Sequence, residues 1–357
     1  MYKQCYQLNV NQCDSHVHKM QQISKLTLVL VAVAIYLIWM DVALYINLQQ
    51  LPPLKERLES KAKPPGTPFS PFEPITIKLL MMCPPMQYID LPLATWIEDA
   101  TQISIYVTPN MVSIFGCICG LIAARLFYYE SYKLRLLGFV FFRIRDLADN
   151  LDGIVARQRA HELKMNIKPG TFGFAMDGIC DGIADVTVII AVGIYLLRNN
   201  IQNTDNYKRL KDEESLELKE NPKNLWSKLK NLQLQWFMPI VGKTILFACL
   251  FGICSGIWNY FMYHYHLLFD TDLIAQSQFQ QEIQLAVLKS PMMWLIIFIW
   301  RWINAVTMIE FFIIAILYNK AEVFLDGMKQ HGTLIVLATS LLTYIHYSYA
   351  LDKIANS

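Results

Sequence analysis

Long apolar runs separated by short polar intervals dominate the chain, and their lengths predict its elements. The first run covers 26–48, and six more follow at 108–127, 133–158, 171–197, 236–265, 291–318 and 331–350. Each is near the ~20 residues that a helix needs to cross a hydrocarbon core. The expected fold is an all-α multi-pass membrane protein, with a six-helix core over 108–350 and one N-terminal anchor helix over 26–48.

The polar intervals refine this picture. Residues 1–25 form a tail with Lys3, Lys19 and Lys25 against Asp14, and 351–357 form a short C-terminal tail. The first run starts too late, and is too long, for a cleaved signal peptide, so it reads as a signal anchor. Asp41 lies near its far end, where a polar head can snorkel. Residues 49–107 include Pro52-Pro53, Pro64-Pro65 and Pro84-Pro85, which predict an irregular connector ending in an interfacial helix over 91–106. Thr108-Pro109-Asn110 then supplies an N-cap and a first-turn proline for the first core helix. In the charged loop 198–235, Leu225, Trp226, Leu229 and Leu232 recur near helical spacing, as in a membrane-surface helix.

Composition adds exclusions. With 54% hydrophobic and 17% charged residues, the chain is not an ordinary soluble domain. A net charge of +2 without a basic, aromatic-interleaved patch gives no role to nucleic acid. Cys117, Cys119, Cys180, Cys249 and Cys254 fall in apolar runs and predict packing, not a disulfide framework. Arg301 and Glu310 interrupt the fifth core run and must face the bundle interior, lining a cavity or pairing with other helices. Lys243 can snorkel, and His264 and His266 read as interfacial residues.

The candidate chemistry lies between Asp149 and Asp185. Asp149 and Asp152 stand three apart near the end of one run; Asp177 and Asp181 stand four apart near the start of the next. Either spacing puts both carboxylates on one helix face, and an antiparallel hairpin brings the pairs to one depth. Four such acids repel unless cations compensate them, so the arrangement reads as a metal site. Gly153, Ala156 and Gly173 clear space beside them, and Arg157 offers a fork for phosphate oxygens. A nucleoside diphosphate held through a metal fits this set.

These residues resemble the signature of the CDP-alcohol phosphatidyltransferases. That signature is Asp149-x2-Asp152-Gly153-x2-Ala156-Arg157 followed by Gly173-x3-Asp177-x3-Asp181, with all eight positions filled. A link of fifteen residues separates Arg157 from Gly173, longer than most of the family uses. The long link, short chain and extra N-terminal span are most similar to the branch that makes ceramide phosphoethanolamine.

The resemblance implies transfer of a phospho-alcohol group from CDP-ethanolamine to the hydroxyl of ceramide, with release of CMP. It implies Mn2+ or Mg2+ on Asp149, Asp152, Asp177 and Asp181, with Asp181 also accepting the hydroxyl proton. Gly153, Ala156, Arg157, Gly173 and Asn110 would contact the CDP moiety. Asp185 lies outside the signature, extends the Asp177–Asp181 stripe by another turn, and reads as standing behind the ligands. The partners are the two substrates and the bilayer, and a homodimer is admitted. A phosphatidylinositol-synthase-like enzyme is the alternative within the family. A cation transporter is the alternative outside it, and would spread acids along several spans.

Sidedness follows from basic residues. Arg125, Lys133 and Arg135 flank one turn, eight basic residues fall in 198–235, and Lys320 and Lys329 lie in 319–330. With alternating spans these segments share the side of the N-terminal tail, which the positive-inside rule makes cytosolic. The acidic motif then faces the lumen, in agreement with a Golgi membrane enzyme.

Overall fold

The computed structural model describes residues 2–59, 70–72, 75–162, 172–214, 222–275 and 277–356, which are mostly helical and include no strand. The chain divides into two compact units, 1–51 and 52–357. The first is one helix, α1 (Tyr2–Gln49), whose Ser24–Gln49 part is long and apolar enough to cross a membrane.

The second unit carries the remaining helices. They are α2 (Leu54–Glu59), α3 (Ile77–Leu80), α4 (Leu91–Thr101), α5 (Pro109–Phe127), α6 (Tyr132–Glu162), α7 (Phe172–Glu214), α8 (Pro222–Phe269), α9 (Gln278–Leu288), α10 (Pro291–Ile303), α11 (Ala305–Leu317), α12 (Ala321–Gly327) and α13 (Thr333–Ala355). Among the described residues five stretches pass as membrane spans by length and hydropathy, or six if the bent pair α9–α10 is one span. Helix α6 is not among them because of its charges, yet Arg145 and Asp146 on it are buried at 3% and 0% exposure. Those charges are covered by neighbouring helices, so α6 belongs inside the bundle.

Two helices differ from the apolar pattern. The expected continuous helix over 291–318 is broken at Asn304, which ends α10 and caps α11. Its Oδ1 accepts from Thr307 N at 2.9 Å, and Thr307 Oγ1 donates to Arg301 O at 2.7 Å. Side chains thus satisfy the backbone groups freed at the break. Helix α9 meets α10 at 55°. The last span begins earlier than expected, with α12 running through a π-helical turn at Met328–Gly332 into α13.

The proline-rich stretch is more ordered than its composition suggests. Arg57 Nη2 donates to Phe269 O at 3.1 Å, and Asp270 Oδ2 accepts from Ile77 N at 2.9 Å. Trp258 Nε1 donates to Met81 O at 3.1 Å. Arg301, fully buried, donates to Leu80 O at 3.0 Å and to Gln87 Oε1 at 2.7 Å. Trp258 on α8, Asp270 just after it and Arg301 on α10 therefore take up backbone groups of a segment that proline keeps from forming one long helix, and Arg57 of that segment caps the end of α8.

Helix α5 is the spacer that sets the site. Its Gly116-x3-Gly120 face lets α6 and α7 approach closely. A Cβ at Gly120 would lie 2.5 Å from Ala184 Cβ on α7, and one at Gly116 would lie 3.2 Å from Ala148 Cβ on α6. Beside this contact, Ala94 of α4, Val112 of α5 and Ala148, Leu151 and Val155 of α6 form a buried cluster where the three helices meet.

Candidate active site

Helices α6 and α7 bring the two acidic pairs together. Asp149, Asp152 and Asp177 each place a carboxylate oxygen within 4.8 Å of the others. Three hard oxygen donors this close suit one divalent cation and fit Mn2+ or Mg2+. Asp152 is buried, while Asp149 and Asp177 are half-buried. Ser113 on α5 donates its hydroxyl to Asp152 Oδ2 and holds that carboxylate toward the cluster.

Asp181 lies outside this group of three. Its Oδ1 accepts from Arg145 Nη2 at 2.8 Å, and the same nitrogen reaches Asp185 Oδ2 at 3.3 Å. Arg145 Nη1 donates to Asp146 Oδ1 at 2.9 Å. The expected set of four is therefore arranged as three clustered carboxylates and one paired with an arginine. Asp185, expected behind the ligands, is buried on the same arginine.

The remaining expected residues surround this centre. Asn110 is half-buried on the second residue of α5, one turn before Ser113 and on the same face. A Cβ at Gly153 would lie 3.4 Å from Arg157 Nη1, so the space above this glycine is taken by the Arg157 guanidinium. Arg157 is exposed, and its charge lies near enough to act on the Asp152 carboxylate. Ala156 is half-buried on the same helix, and Gly173 lies in the first turn of α7. Most of the link 158–172, and the side chain of His161, lie outside what the structure describes.

A second ionic group adjoins the first. Arg143 Nη1 donates to Glu310 Oε1 at 2.7 Å and to Asp146 Oδ2 at 3.0 Å, and Arg143 Nη2 pairs with Asp90. Burial pushes the Asp90 carboxyl up to about 7, against the pull of Arg143 and with the repulsion of Asp146. Of the two roles open to Arg301 and Glu310, both are engaged in pairing with other segments. His266 Nδ1 lies 3.0 Å from Asp270, and His264 packs against Tyr260 and Tyr347. Lys243 pairs with Glu322 and Asp326.

Sequence reasoning passed over Arg143, Arg145, Asp146 and Ser113. For Arg145 a signal existed: it stands four residues before Asp149, one turn back on the same face. The roles of Asp90 and Ser113 depend on contacts between helices and left no local mark.

Comparison with known proteins decides the family. The profile described as ceramide phosphoethanolamine synthase matches residues 66–357. The chain belongs to the ceramide phosphoethanolamine synthase family. A relative from Drosophila melanogaster, named ceramide phosphoethanolamine synthase, is 27% identical over 290 residues, covering 81% of this chain and 71% of the relative. No solved structure matches the chain. Membership of this synthase family makes the chain an enzyme of the transferase class, and its helices make it a multi-pass membrane protein.

Proposed function

We propose that the chain transfers phosphoethanolamine from CDP-ethanolamine to the hydroxyl of ceramide, releasing CMP, in the Golgi membrane with its site facing the lumen. The observation that carries this reading is the gathering of Asp149, Asp152 and Asp177, with Asp181 beside them, in a chain of this synthase family.

In this reaction the ceramide oxygen forms a bond to the phosphorus that bears ethanolamine, and the bond from that phosphorus to the CMP oxygen breaks. The proton of the hydroxyl passes to Asp181. Asp181 suits this role because its side chain is 34% exposed and one of its oxygens is fixed by Arg145. Asp149, Asp152 and Asp177 would hold Mn2+ or Mg2+, which supplies positive charge against the diphosphate and the leaving CMP. Arg157, exposed at the edge of the cluster, takes phosphate oxygens in its planar fork. Asn110, Ala156 and Gly173 border the space for the nucleotide, and Gly153 leaves room for the Arg157 guanidinium.

The test is direct. Purified protein is incubated with labelled CDP-ethanolamine, a lipid panel containing ceramide and diacylglycerol, and Mn2+ or Mg2+. The expected outcome is labelled ceramide phosphoethanolamine with an equal amount of CMP. Labelled product from diacylglycerol alone, or turnover confined to CDP-diacylglycerol with a polar alcohol, would overturn the reading.

A further inference from the structure

We infer that Arg145 is a positioning residue that fixes Asp181 for proton transfer while leaving the metal cluster to the other three carboxylates. The inference rests on the phosphotransfer reading of the site and assigns work within it.

Arg145 sits one turn before Asp149, outside the motif, and is buried at 3% exposure. Its stem runs beside the closest approach of α5 and α7: a Cβ at Gly120 would lie 3.7 Å from Arg145 Cγ. Its Cζ lies 5.6 Å from the centre of the Phe142 ring. Packing thus limits where the guanidinium can point. From there it crosses to α7 and bridges Asp181 and Asp185, with side-chain exposures of 34% and 8%. The shorter contact, 2.8 Å against 3.3 Å, goes to the exposed carboxylate. Nη1 pairs with the fully buried Asp146 at 2.9 Å, so neutralising buried acid is one part of its work. Nη2, free to favour the buried Asp185, goes closer to Asp181 instead, and Asp185 Oδ1 is left without a hydrogen bond.

The consequence is a division of labour. Asp177 and Asp181 share a face of α7, so either carboxylate could turn toward Asp149 and Asp152. The fixed cation on α6 holds Asp181 by one oxygen, which leaves the other for the acceptor hydroxyl. A base held in this way needs no reorientation when substrate arrives.

The test compares Arg145→Gln and Arg145→Lys with the native protein by kinetics and by Mn2+ binding, read as protection against heat by Mn2+ alone. Arg145→Gln is expected to lower kcat about a hundredfold. Its KM for CDP-ethanolamine and its Mn2+ midpoint should stay within about threefold of native, the mark of an interaction made in the transition state. Arg145→Lys should recover about a tenth or more of native kcat, since it keeps the charge and loses the fork. If Arg145→Gln does not fold, the double variant Arg145→Gln/Asp185→Asn removes the buried charges as a pair and is measured in the same way. Native kcat in a folded Gln variant would overturn the inference. So would loss of Mn2+ protection in step with kcat, which would place Arg145 in the metal site. A native protein that binds Mn2+ but turns over no CDP-alcohol would overturn the underlying phosphotransfer reading, and this role with it.

Discussion

At the scale of residues, the four acids of the motif separate into unequal parts. Asp149, Asp152 and Asp177 share one centre, whereas Asp181 is held by Arg145. Asp152→Asn or Asp177→Asn should therefore abolish CMP release and remove protection against heat by Mn2+, because a site of few ligands depends on each charge. Asp181→Asn should retain that protection while turnover falls by about two to four orders of magnitude, the range for losing a positioned proton acceptor. Equal loss of Mn2+ protection in Asp152→Asn and Asp181→Asn would return Asp181 to the ligands. The acidic pairs were legible in the sequence because spacings of three and four put side chains on one helix face. Which carboxylate joins which partner was not legible, since Arg145 meets Asp181 between α6 and α7, and Ser113 meets Asp152 between α5 and α6.

At the scale of elements, hydrophobic run length pointed to the long apolar helices, of which five, or six with the bent pair, pass as spans among the described residues. Helix α6 was expected from its apolar residues although its charges keep it below a simple hydropathy test. The breaks were not legible. Asn304 interrupts an otherwise apolar run, and only its bond from Thr307 N shows that it caps a new helix. The order in the proline-rich stretch comes from Arg57, Trp258, Asp270 and Arg301, distant in sequence from the backbone groups they satisfy. Helix α5 is the element on which the site geometry depends most. Gly120→Val places atoms where Ala184 already stands, and a repacking penalty of about 1–3 kcal/mol is the usual scale. The expected result is a lowered Tm in detergent and at least about tenfold weaker turnover, as Asp181 moves with α7. Gly252→Ala, where a Cβ meets nothing within 4 Å, is the matched control. Unchanged Tm and turnover in Gly120→Val would show that α5 and α7 can separate freely.

At the scale of the whole molecule, the second unit has a basic end and an acidic end. At the basic end, Arg125 and Arg198 both lie over the Tyr128 ring, at 5.3 and 5.2 Å. Arg135 reaches Tyr129 O at 2.8 Å and Ile316 O at 3.3 Å, tying the turn after α5 to the turn after α11. At the other end, Arg159 donates to Val107 O at 2.8 Å and to Ser104 O at 3.3 Å, so the last turns of α6 lie beside the start of α5. The motif carboxylates sit toward this second end. Basic residues favour the cytosolic face, so the basic end is expected there and the motif in the lumen. A cysteine-poor version carrying Glu130→Cys after the end of α5, or Asp99→Cys before its start, gives two exposed reporters at its opposite ends. In sealed vesicles with the cytosolic face outward, an impermeant thiol reagent should label Glu130→Cys at once and Asp99→Cys only after permeabilisation. The reverse pattern would put the motif on the cytosolic side. A luminal base needs nucleotide delivered across the membrane, whereas a cytosolic one would draw on CDP-alcohols directly and favour a phosphatidylinositol-type reaction.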